Sequence, residues 1–403
     1  MYHYRVNQIK LAIGEPKDRI PGRIGKMLGI SSDVIQKYDI RRESIDARNK
    51  SDIRLVYTVD FFTRKPVRRK NKNLQEVGEE RPAEPVSGTQ KLQGRPLIVG
   101  FGPCGIFAAL KLAEKGYRPV VIERGQAMEE RVADVEAFRQ KGLLNPESNV
   151  LFGEGGAGTF SDGKLTSGIK NGHIREVLEV FAEAGANPAI LYEHRPHIGT
   201  DVLREVIVNI RHKILSLGGE VRFGTRLESL QTEEGRLTGA VLVNDEGNRE
   251  EFVTDALILA IGHSARDTFE MIYEKKLPME QKPLSIGVRM EHPQALIDRA
   301  QYGEERRLPP ADYKVSYRAS NGRGVYSFCM CPGGEVIVCS TREKELCVNG
   351  MSNSKRDSGT ANSGILCDVR TSDFGVRRCA GGRRFQEKYE RLAYEKGLEE
   401  HGE

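Results

Sequence analysis

The sequence of 403 residues contains no uninterrupted apolar stretch of the roughly 18 residues that a membrane-spanning helix needs. Its first 19 residues alternate between polar and apolar side chains and carry early charges, which is not the pattern of a signal peptide. The net charge is also small, +5 from 62 basic and 57 acidic residues, so the overall charge gives no reason to expect a nucleic-acid partner. We therefore expect a protein that binds neither membranes nor nucleic acid.

Cysteine is scarce and irregularly spaced. Seven cysteines are an odd number in a chain without an export signal, which favours reduced thiols in the cytoplasm over a disulfide framework. A structural metal needs about four ligands, and the single C-x-C of Cys329 and Cys331 has no second C-x-C or C-x-x-C to complete such a set. We expect no metal. Apolar residues make up 38% of the chain and charged residues 30%, which is typical of a soluble protein of two or three domains.

The N-terminal part predicts a small α+β domain over residues 1–63. Polar and apolar residues alternate at 4–13, a short helical stretch follows at 24–28, and residues 34–40 and 53–62 have strand-like composition. Residues 64–93 are charged and almost free of large apolar side chains, so they predict a solvated linker. Its RRKNK cluster is compatible with an anionic partner as well as with plain solvation.

A strand, a glycine turn and a helix are predicted from residue 96 onwards. Residues 96–99 are wholly apolar, as in a buried parallel strand, and Gly100, Gly102 and Gly105 then form G-x-G-x-x-G. The first glycine permits a tight turn, the second allows a pyrophosphate to approach the backbone, and the third allows the helix to pack on the strand. The helix predicted at 106–115 points its N-terminal amides at that pyrophosphate.

An acidic residue follows at the position from which a carboxylate binds the ribose of a dinucleotide. Glu123 ends the next predicted strand, 119–122, and lies 18 residues after Gly105, close to the offset of about 20 that places a carboxylate on ribose hydroxyls. A glutamate here also argues against a 2′-phosphate. The alternative is a glycine turn in another doubly wound sheet, but the complete strand, helix and acid favour a dinucleotide site.

Three later features favour FAD over NAD at this site. Residues 149–168 form a glycine-rich loop that allows backbone amides to approach a cofactor, although a flexible surface loop has similar composition. A helix predicted at 200–217 is followed by four strand-like runs over 218–254, which we interpret as a β-meander. The closing strand at 255–261 is apolar and ends at Gly262, where a cofactor edge would lie.

This combination resembles the glutathione-reductase-like FAD fold, except that the strand end reads Ala260-Ile261-Gly262 in place of the common threonine. More specifically, the chain resembles the bacterial family of uncharacterised FAD-dependent, or NAD(FAD)-utilising, dehydrogenases. The segments that carry this resemblance are SIDARNKSDIRLVYTVD, IVGFGPCGIFAALKLAEKG, FGEGGAGTFSDGKLTS, ILAIGHSARDTFEM and GVYSFCMCPGGEVI.

The resemblance implies a set of FAD-binding residues and leaves the substrate and the catalytic residues unassigned. It places the ADP half of FAD on one group, and the pyrophosphate and flavin beside a second group that includes the strand end. These are Gly100, Gly102, Pro103, Gly105, Glu123 and Arg124, and then Gly155, Gly156, Gly158, Thr159, Ser161 and Gly262.

The rest of the chain predicts a β-rich inserted domain and an incomplete C-terminal segment. We expect an FAD-binding Rossmann-type domain over 94–275, an inserted substrate or cap domain over 276–348, and an incomplete segment over 349–403. Within the inserted domain, a strand at Cys329 and Cys331 would put both thiols on one face, about 6.5–7 Å apart. Three roles are open for this pair: small structural residues in a strand, a redox or substrate contact, or half of a metal site. His263 is either a polarising group near the flavin or an ordinary hydrogen-bonded histidine.

The predicted activity is that of an FAD-dependent oxidoreductase, a dehydrogenase, in which the flavin carries the hydride or electrons. A small molecule is the expected substrate, and NAD(P)H is a candidate electron donor. The sequence has one glycine fingerprint, which is assigned to the flavin, so we expect no separate NAD(P) domain. The alternatives are an NAD-dependent dehydrogenase that uses this motif and a non-catalytic FAD-fold scaffold. Residues 376–384 fit the resemblance poorly, and the resembled family continues beyond residue 403. No second strand–glycine–helix element follows to close the flavin end, so we also expect a partly open flavin pocket, weak FAD retention and little turnover.

Overall fold

The computed structural model describes residues 1–68, 71–78, 84–166, 168–169, 171–374 and 381–401. The strands of these residues are β1 Tyr2–Ala12, β2 Ile35–Asp46, β3 Arg54–Thr63, β4 Leu74–Glu76, β5 Leu97–Val99, β6 Val120–Ile122, β7 Glu220–Arg222, β8 Thr225–Glu233, β9 Arg236–Asn244, β10 Arg249–Val253, β11 Leu257–Leu259, β12 Leu284–Pro293, β13 Ser316–Arg318, β14 Gly324–Cys331, β15 Gly334–Cys339, β16 Cys347–Ser352 and β17 Thr360–Val369. The helices are α1 Ile20–Leu28, α2 Pro103–Glu114, α3 Met128–Lys141, α4 His173–Glu183, α5 Thr200–Ser216, α6 Arg266–Glu274, α7 Gln294–Tyr302 and α8 Gly381–His401.

The chain divides into two compact units. The first consists of Met1–Ser87, Lys164–Ile198 and Pro293–Asp312, and the second of Gly88–Gly163, Gly199–His292 and Tyr313–Glu403. The two later segments of the first unit carry α4 and α7, and they lie within the ranges that the sequence assigned to the FAD-binding and inserted domains. None of the helices described here has both the length and the apolar composition that a membrane span requires.

The first unit is built on an antiparallel sheet of strand order β2-β3-β1-β4. Alternating residues of β1 and β3, such as Val6 opposite Val59, bury their side chains against α1, which explains the apolar periodicity of this region. The predicted solvated linker needs a correction, because it contains β4, which pairs with β1. Leu74 packs against the core of this unit, and the burial of its side chain favours pairing of this segment over full solvation.

The second unit contains the predicted strand, glycine turn, helix and strand as β5, α2 and β6. These strands belong to a parallel sheet of order β11-β5-β6-β7, in which Leu97 lies between Leu257 and Val120. The meander prediction needs a correction, because the first of its four runs is β7, which pairs in parallel with β6. The meander proper is the antiparallel sheet β10-β9-β8.

The same unit continues into a sheet of order β12-β17-β14-β13 and a hairpin of β15 and β16. Strand β17 and most of β16 fall in the segment expected to be incomplete, where the sequence predicted no strand. Small polar residues fill an interior position of the sheet there, since Asn362 and Ser363 are fully buried between neighbouring strands. Apolar periodicity therefore gave no signal for β17. The poorly fitting stretch 376–384 and Cys379 lie largely outside the described residues, at 375–380.

Candidate functional site

The first glycine loop contains two glycines that are closely packed against other backbone and one whose Cβ direction is nearly unobstructed. Gly100 has φ +102°, and a Cβ there would lie 2.5 Å from the Ala260 carbonyl oxygen. A Cβ on Gly105 would lie 1.9 Å from the Gly100 oxygen, so only glycine lets α2 pack this closely on β5. A Cβ on Gly102 would meet only the Gly156 Cα, at an ordinary 3.7 Å. The three glycines therefore have the separate roles that a dinucleotide site requires.

The second glycine-rich loop lies directly against the first. Its Gly155 N–H donates to the Phe101 carbonyl at 2.9 Å, and a Cβ on Gly156 would lie 3.0 Å from the Gly102 Cα. Gly155 and Gly156 have φ of +83° and +65°, left-handed conformations that glycine adopts without strain. Two turns of exposed backbone that are distant in sequence thus meet at the N-terminus of α2.

Glu123 connects both loops through its carboxylate. Its Oε2 accepts from the Phe101 N–H at 2.7 Å, and its Oε1 accepts from Gly125 at 3.0 Å and Gly153 at 2.9 Å. The residue is buried, with 6% of its surface exposed. A carboxylate has about four acceptor positions, so three backbone donors leave one for a ribose hydroxyl. Glu123 therefore holds the loops together and retains capacity for a ligand.

We expect Glu123→Gln to lower the FAD affinity and the stability of this unit by about 1–3 kcal/mol each, because an amide nitrogen would face a backbone N–H and leave it without an acceptor. Calorimetric titration with FAD and urea unfolding would measure the two losses. Glu233→Gln, on an exposed position of β8, is the matched control and should change neither. Wild-type affinity in the Glu123 variant would show that the carboxylate does not support the site.

Arg124 is held between two carboxylates beside the same loops. Its guanidinium contacts Glu147 at 2.7 Å and Asp267 at 2.8 Å, and it lies over the ring of Phe152, with 4.6 Å between the Cζ and the centroid. Burial opposes the charge, but the hydrogen bonds that the guanidinium donates to both carboxylates raise the pKa of Arg124 above its usual value. Arg124 is thus fixed in position and permanently charged at the edge of the site.

Arg131 was not predicted as a site residue, yet it organises the second loop from within. Its side chain is fully buried and donates to the carbonyls of Asn149 at 3.0 Å, Val150 at 3.0 Å, Gly156 at 2.9 Å and Glu154. Burial lowers the pKa of the Arg131 guanidinium to about 9, while the nearby Glu123 and Glu154 act in the opposite direction. An arginine that satisfies several loop carbonyls fixes the path of the backbone that carries the glycines.

These elements enclose a cavity of about 540 Å³. Among the predicted residues, its wall includes Gly100, Gly102, Pro103, Glu123, Arg124, Gly156, Gly158 and Gly262. The other four support the wall from behind. Gly105 packs on β5, Gly155 bonds to Phe101, Thr159 Oγ1 donates to the Glu154 carbonyl at 3.3 Å, and Ser161 Oγ donates to the Gly350 carbonyl at 3.3 Å. The structure thus brings the two predicted groups to one place.

A second cavity of about 380 Å³ adjoins the first and shares Leu151, Ala157, His263 and Ser264 with it. His263 Nδ1 and Ser264 Oγ lie 2.6 Å apart in this common wall. The remaining wall comes from Arg266 of α6, from β12, β14 and β17, from the β15–β16 hairpin and from Gln386 and Glu390 of α8. The C-terminal segment, expected to leave the flavin end open, therefore contributes to this cavity.

Arg266 ties α8 to this wall. Its guanidinium contacts Glu345 at 2.9 Å and Glu390 at 2.7 Å, and Glu387 lies 4.0 Å away. Burial opposes the charge, but the hydrogen bond to Glu390 and the neighbouring carboxylates raise the pKa of Arg266. The residue follows the closing strand in sequence, and nothing in its spacing predicted that it would bind a helix more than 100 residues later.

The C-x-C geometry also needs a correction. The sulfur atoms of Cys329 and Cys331 lie 4.0 Å apart instead of about 6.5–7 Å. The register with β17 shifts between Phe328 and Cys331, and Cys329 adopts φ +45°, so a β-bulge replaces the regular strand. Neither cysteine lines either cavity. In the described residues, no cluster of His, Cys, Asp and Glu has the arrangement of a metal site.

The cavity, its paired glycine loops and its ribose-side acid define a dinucleotide-binding protein, and comparison with known families identifies the dinucleotide. Residues 283–402 match the family described as "FAD-dependent protein, C-terminal domain-like". Residues 3–62 match a domain of unknown function, DUF8436. The expectation of FAD as the cofactor is confirmed.

An uncharacterised protein of Clostridium beijerinckii is 44% identical over 403 residues, which cover 98% of this chain and 74% of that protein. The chain belongs to the family of this protein. Among solved structures, glycerol-3-phosphate dehydrogenase from Bacillus halodurans complexed with FAD matches 74% of this chain and 52% of its own, with 12% identity and a TM-score of 0.36. Thermovibrio ammonificans THI4 matches 47% of this chain and 66% of its own, with 20% identity and a TM-score of 0.29. Similarity at this level says nothing about the substrate.

Proposed function

We propose that this protein is an FAD-dependent oxidoreductase, a dehydrogenase that passes a hydride or electron pair between a small molecule and its flavin. The observation that carries the proposal is the convergence of two glycine loops, the N-terminus of α2 and Glu123 on one cavity. The cavity is continuous in its lining with a second, more polar one that has room for a substrate. When bound, FAD supplies the two-electron chemistry, and the chain supplies binding, orientation and exclusion of water.

The residues of the first cavity fit the ADP half of FAD. The backbone at Gly102 is unobstructed, and Pro103 begins α2 without an N–H, so the next amides of the helix remain available for a pyrophosphate. Glu123 retains an acceptor for the ribose, and Arg124 supplies a fixed positive charge at the rim. Gly156 and Gly158 bring a second stretch of backbone to the same wall.

The second cavity is the proposed substrate site. His263 and Ser264 lie in the wall common to both cavities, where a hydrogen-bonded imidazole and hydroxyl would orient a polar substrate against the flavin. Arg289 also lines this cavity and donates to the Cys329 carbonyl at 3.1 Å. A substrate with an acceptor group is therefore favoured. NAD(P)H is proposed as the electron donor. We propose that it binds in the same cavity, because the one glycine fingerprint of the chain is assigned to FAD.

Anaerobic mixing of the FAD-loaded protein with NADH and, separately, NADPH tests this function. Loss of the visible absorbance of oxidised flavin with either nucleotide, followed by its return with a quinone or dye acceptor, is the expected result. Flavin that stays oxidised with both donors but is reduced by dithionite would exclude NAD(P)H as the donor. Failure of the folded protein to bind FAD at all would contradict the proposed function itself.

A further inference from the structure

Two cysteines of the β15–β16 hairpin face each other in the wall of the second cavity. Cys339 is the last residue of β15 and lies directly opposite Cys347, the first residue of β16. Both line the cavity, and both are free thiols. Directly opposed residues of antiparallel strands have Cα atoms about 4.5–5.5 Å apart, which falls within the range of about 4.4–6.8 Å that a disulfide bridges.

We propose that Cys339 and Cys347 are a redox-active dithiol that closes to a disulfide and exchanges two electrons with the bound flavin. The identity of the electron partner rests on the proposed function, whereas the reversible disulfide does not. The cavity that the cysteines line shares four wall residues with the cavity assigned to the cofactor, so the pair lies in the wall of a cavity that adjoins the cofactor site.

The two thiols differ in a way that suits this exchange. Cys339 is buried, with 1% of its surface exposed, and Cys347 is less buried, with its sulfur 3.5 Å from the Cys339 carbonyl oxygen. A hydrogen bond from Cys339 lowers the pKa of Cys347, and the same bond together with burial raises the pKa of Cys339. Cys347 therefore ionises more readily than Cys339, and the thiolate is the reactive form of a cysteine.

The step balances without a further reactant. A thiolate at Cys347 and a thiol at Cys339 form one S–S bond, and two electrons and the Cys339 proton pass to oxidised FAD. The reverse step consumes reduced flavin and restores the thiol and thiolate. Disulfide closure is a two-electron couple, which matches the flavin electron for electron.

A second cysteine pair competes with this assignment and has to be separated from it. The sulfur atoms of Cys329 and Cys331 lie 4.0 Å apart, but neither residue lines either cavity. Digestion with trypsin and a glutamate-specific protease distinguishes the pairs. Cleavage after Glu335 separates Cys329 and Cys331 from the hairpin, and the remaining cleavages place Cys339 in peptide 336–342 and Cys347 in peptide 346–355.

The first experiment uses the apo-protein, so that it does not depend on FAD. After equilibration with oxidised and reduced glutathione, we expect a cross-linked species of peptides 336–342 and 346–355 that dithiothreitol removes. Cys347→Ser should abolish it, and Cys367→Ser, a cysteine of β17 outside both cavities, should leave it unchanged. The proposal is overturned if the link joins Cys329 to Cys331 instead, or if Cys339 and Cys347 remain unlinked under conditions that oxidise free glutathione.

The second experiment is an anaerobic titration of the FAD-loaded, oxidised protein with dithionite. Wild-type protein and Cys367→Ser should take up about four electrons per FAD, and Cys347→Ser about two, since a flavin and a disulfide each accept two. Uptake of two electrons by wild-type protein with a mapped disulfide would overturn the exchange with flavin. A chain that binds no FAD would contradict the proposed function and the flavin step, whereas the peptide map would still decide whether the disulfide forms.

Discussion

Gly102→Val is expected to reduce FAD affinity at least 100-fold, about 2.7 kcal/mol, while the apo-protein keeps its wild-type stability. The reason is that Gly102 lines the cavity and a Cβ there meets the Gly156 Cα only at an ordinary 3.7 Å, so the added side chain occupies space meant for the ligand without a clash at its Cβ. The backbone at Gly102, φ −79° and ψ −175°, is extended and compatible with valine. The loss should therefore appear in binding and not in folding.

Two further glycine variants make this test specific. Gly105→Ala places a methyl group 1.9 Å from the Gly100 carbonyl oxygen, and it should destabilise the fold itself and lower FAD binding as a consequence. Gly22→Val, on α1, meets no atom within 4 Å and should leave FAD affinity unchanged. Calorimetric titration with FAD and thermal unfolding of the apo-proteins would separate the three behaviours. Retention of wild-type affinity by Gly102→Val would remove the glycine turn from the cofactor site.

Arg131→Met should cost about 3–5 kcal/mol of stability in the second unit and abolish tight FAD binding. The substitution keeps the aliphatic part of the side chain but removes the arginine donor from four loop carbonyls, of which that of Glu154 keeps Thr159 Oγ1 as a donor. Each buried group left unsatisfied costs about 1–3 kcal/mol before water or rearrangement compensates. A Cβ on Gly153 would lie 2.3 Å from the Arg131 Cδ, so the loop is wrapped tightly around this side chain and has little room to rearrange.

Urea unfolding and hydrogen exchange in peptides that cover residues 149–158 would measure this effect. Arg131→Lys should be intermediate, because an ammonium keeps the charge but cannot span carbonyls on several residues as a guanidinium does. Arg139→Met, on an exposed position of the same helix, should change stability by less than about 1 kcal/mol. Wild-type exchange rates in the Arg131→Met loop would show that the loop holds its shape without this arginine.

The local elements around the cofactor site could be predicted because their signals lie within short stretches of sequence. The apolar strand, the spaced glycines and the acid at the next strand end appear in order between Leu97 and Glu123, and the structure gives each of them the expected neighbour. Gly105 is the clearest example, since the contact that excludes every other residue is with Gly100, five positions earlier.

The supporting parts could not be predicted, because their partners are distant in sequence or carry no pattern. Arg131 lies in a helix with weak amphipathic character and resembles an exposed arginine until the loop at 149–156 folds onto it. Arg266 is separated in sequence from Glu390 by all of β12 to β17. Strand β17 is paired on both sides although small polar residues interrupt its apolar pattern, and the bulge at Cys329 changes a distance that regular strand geometry had set.

The most direct test of the central claim is calorimetric titration of the apo-protein with FAD, FMN and NAD⁺. We expect one FAD per chain and much weaker binding of FMN, because FMN lacks the ADP half that Gly102, Glu123 and the N-terminus of α2 are arranged to hold. NAD⁺ contains an ADP half but not the flavin, and it should also bind more weakly than FAD. Binding of NAD⁺ as tight as or tighter than that of FAD, or equal affinity for FMN and FAD, would contradict the assignment of this cavity to FAD.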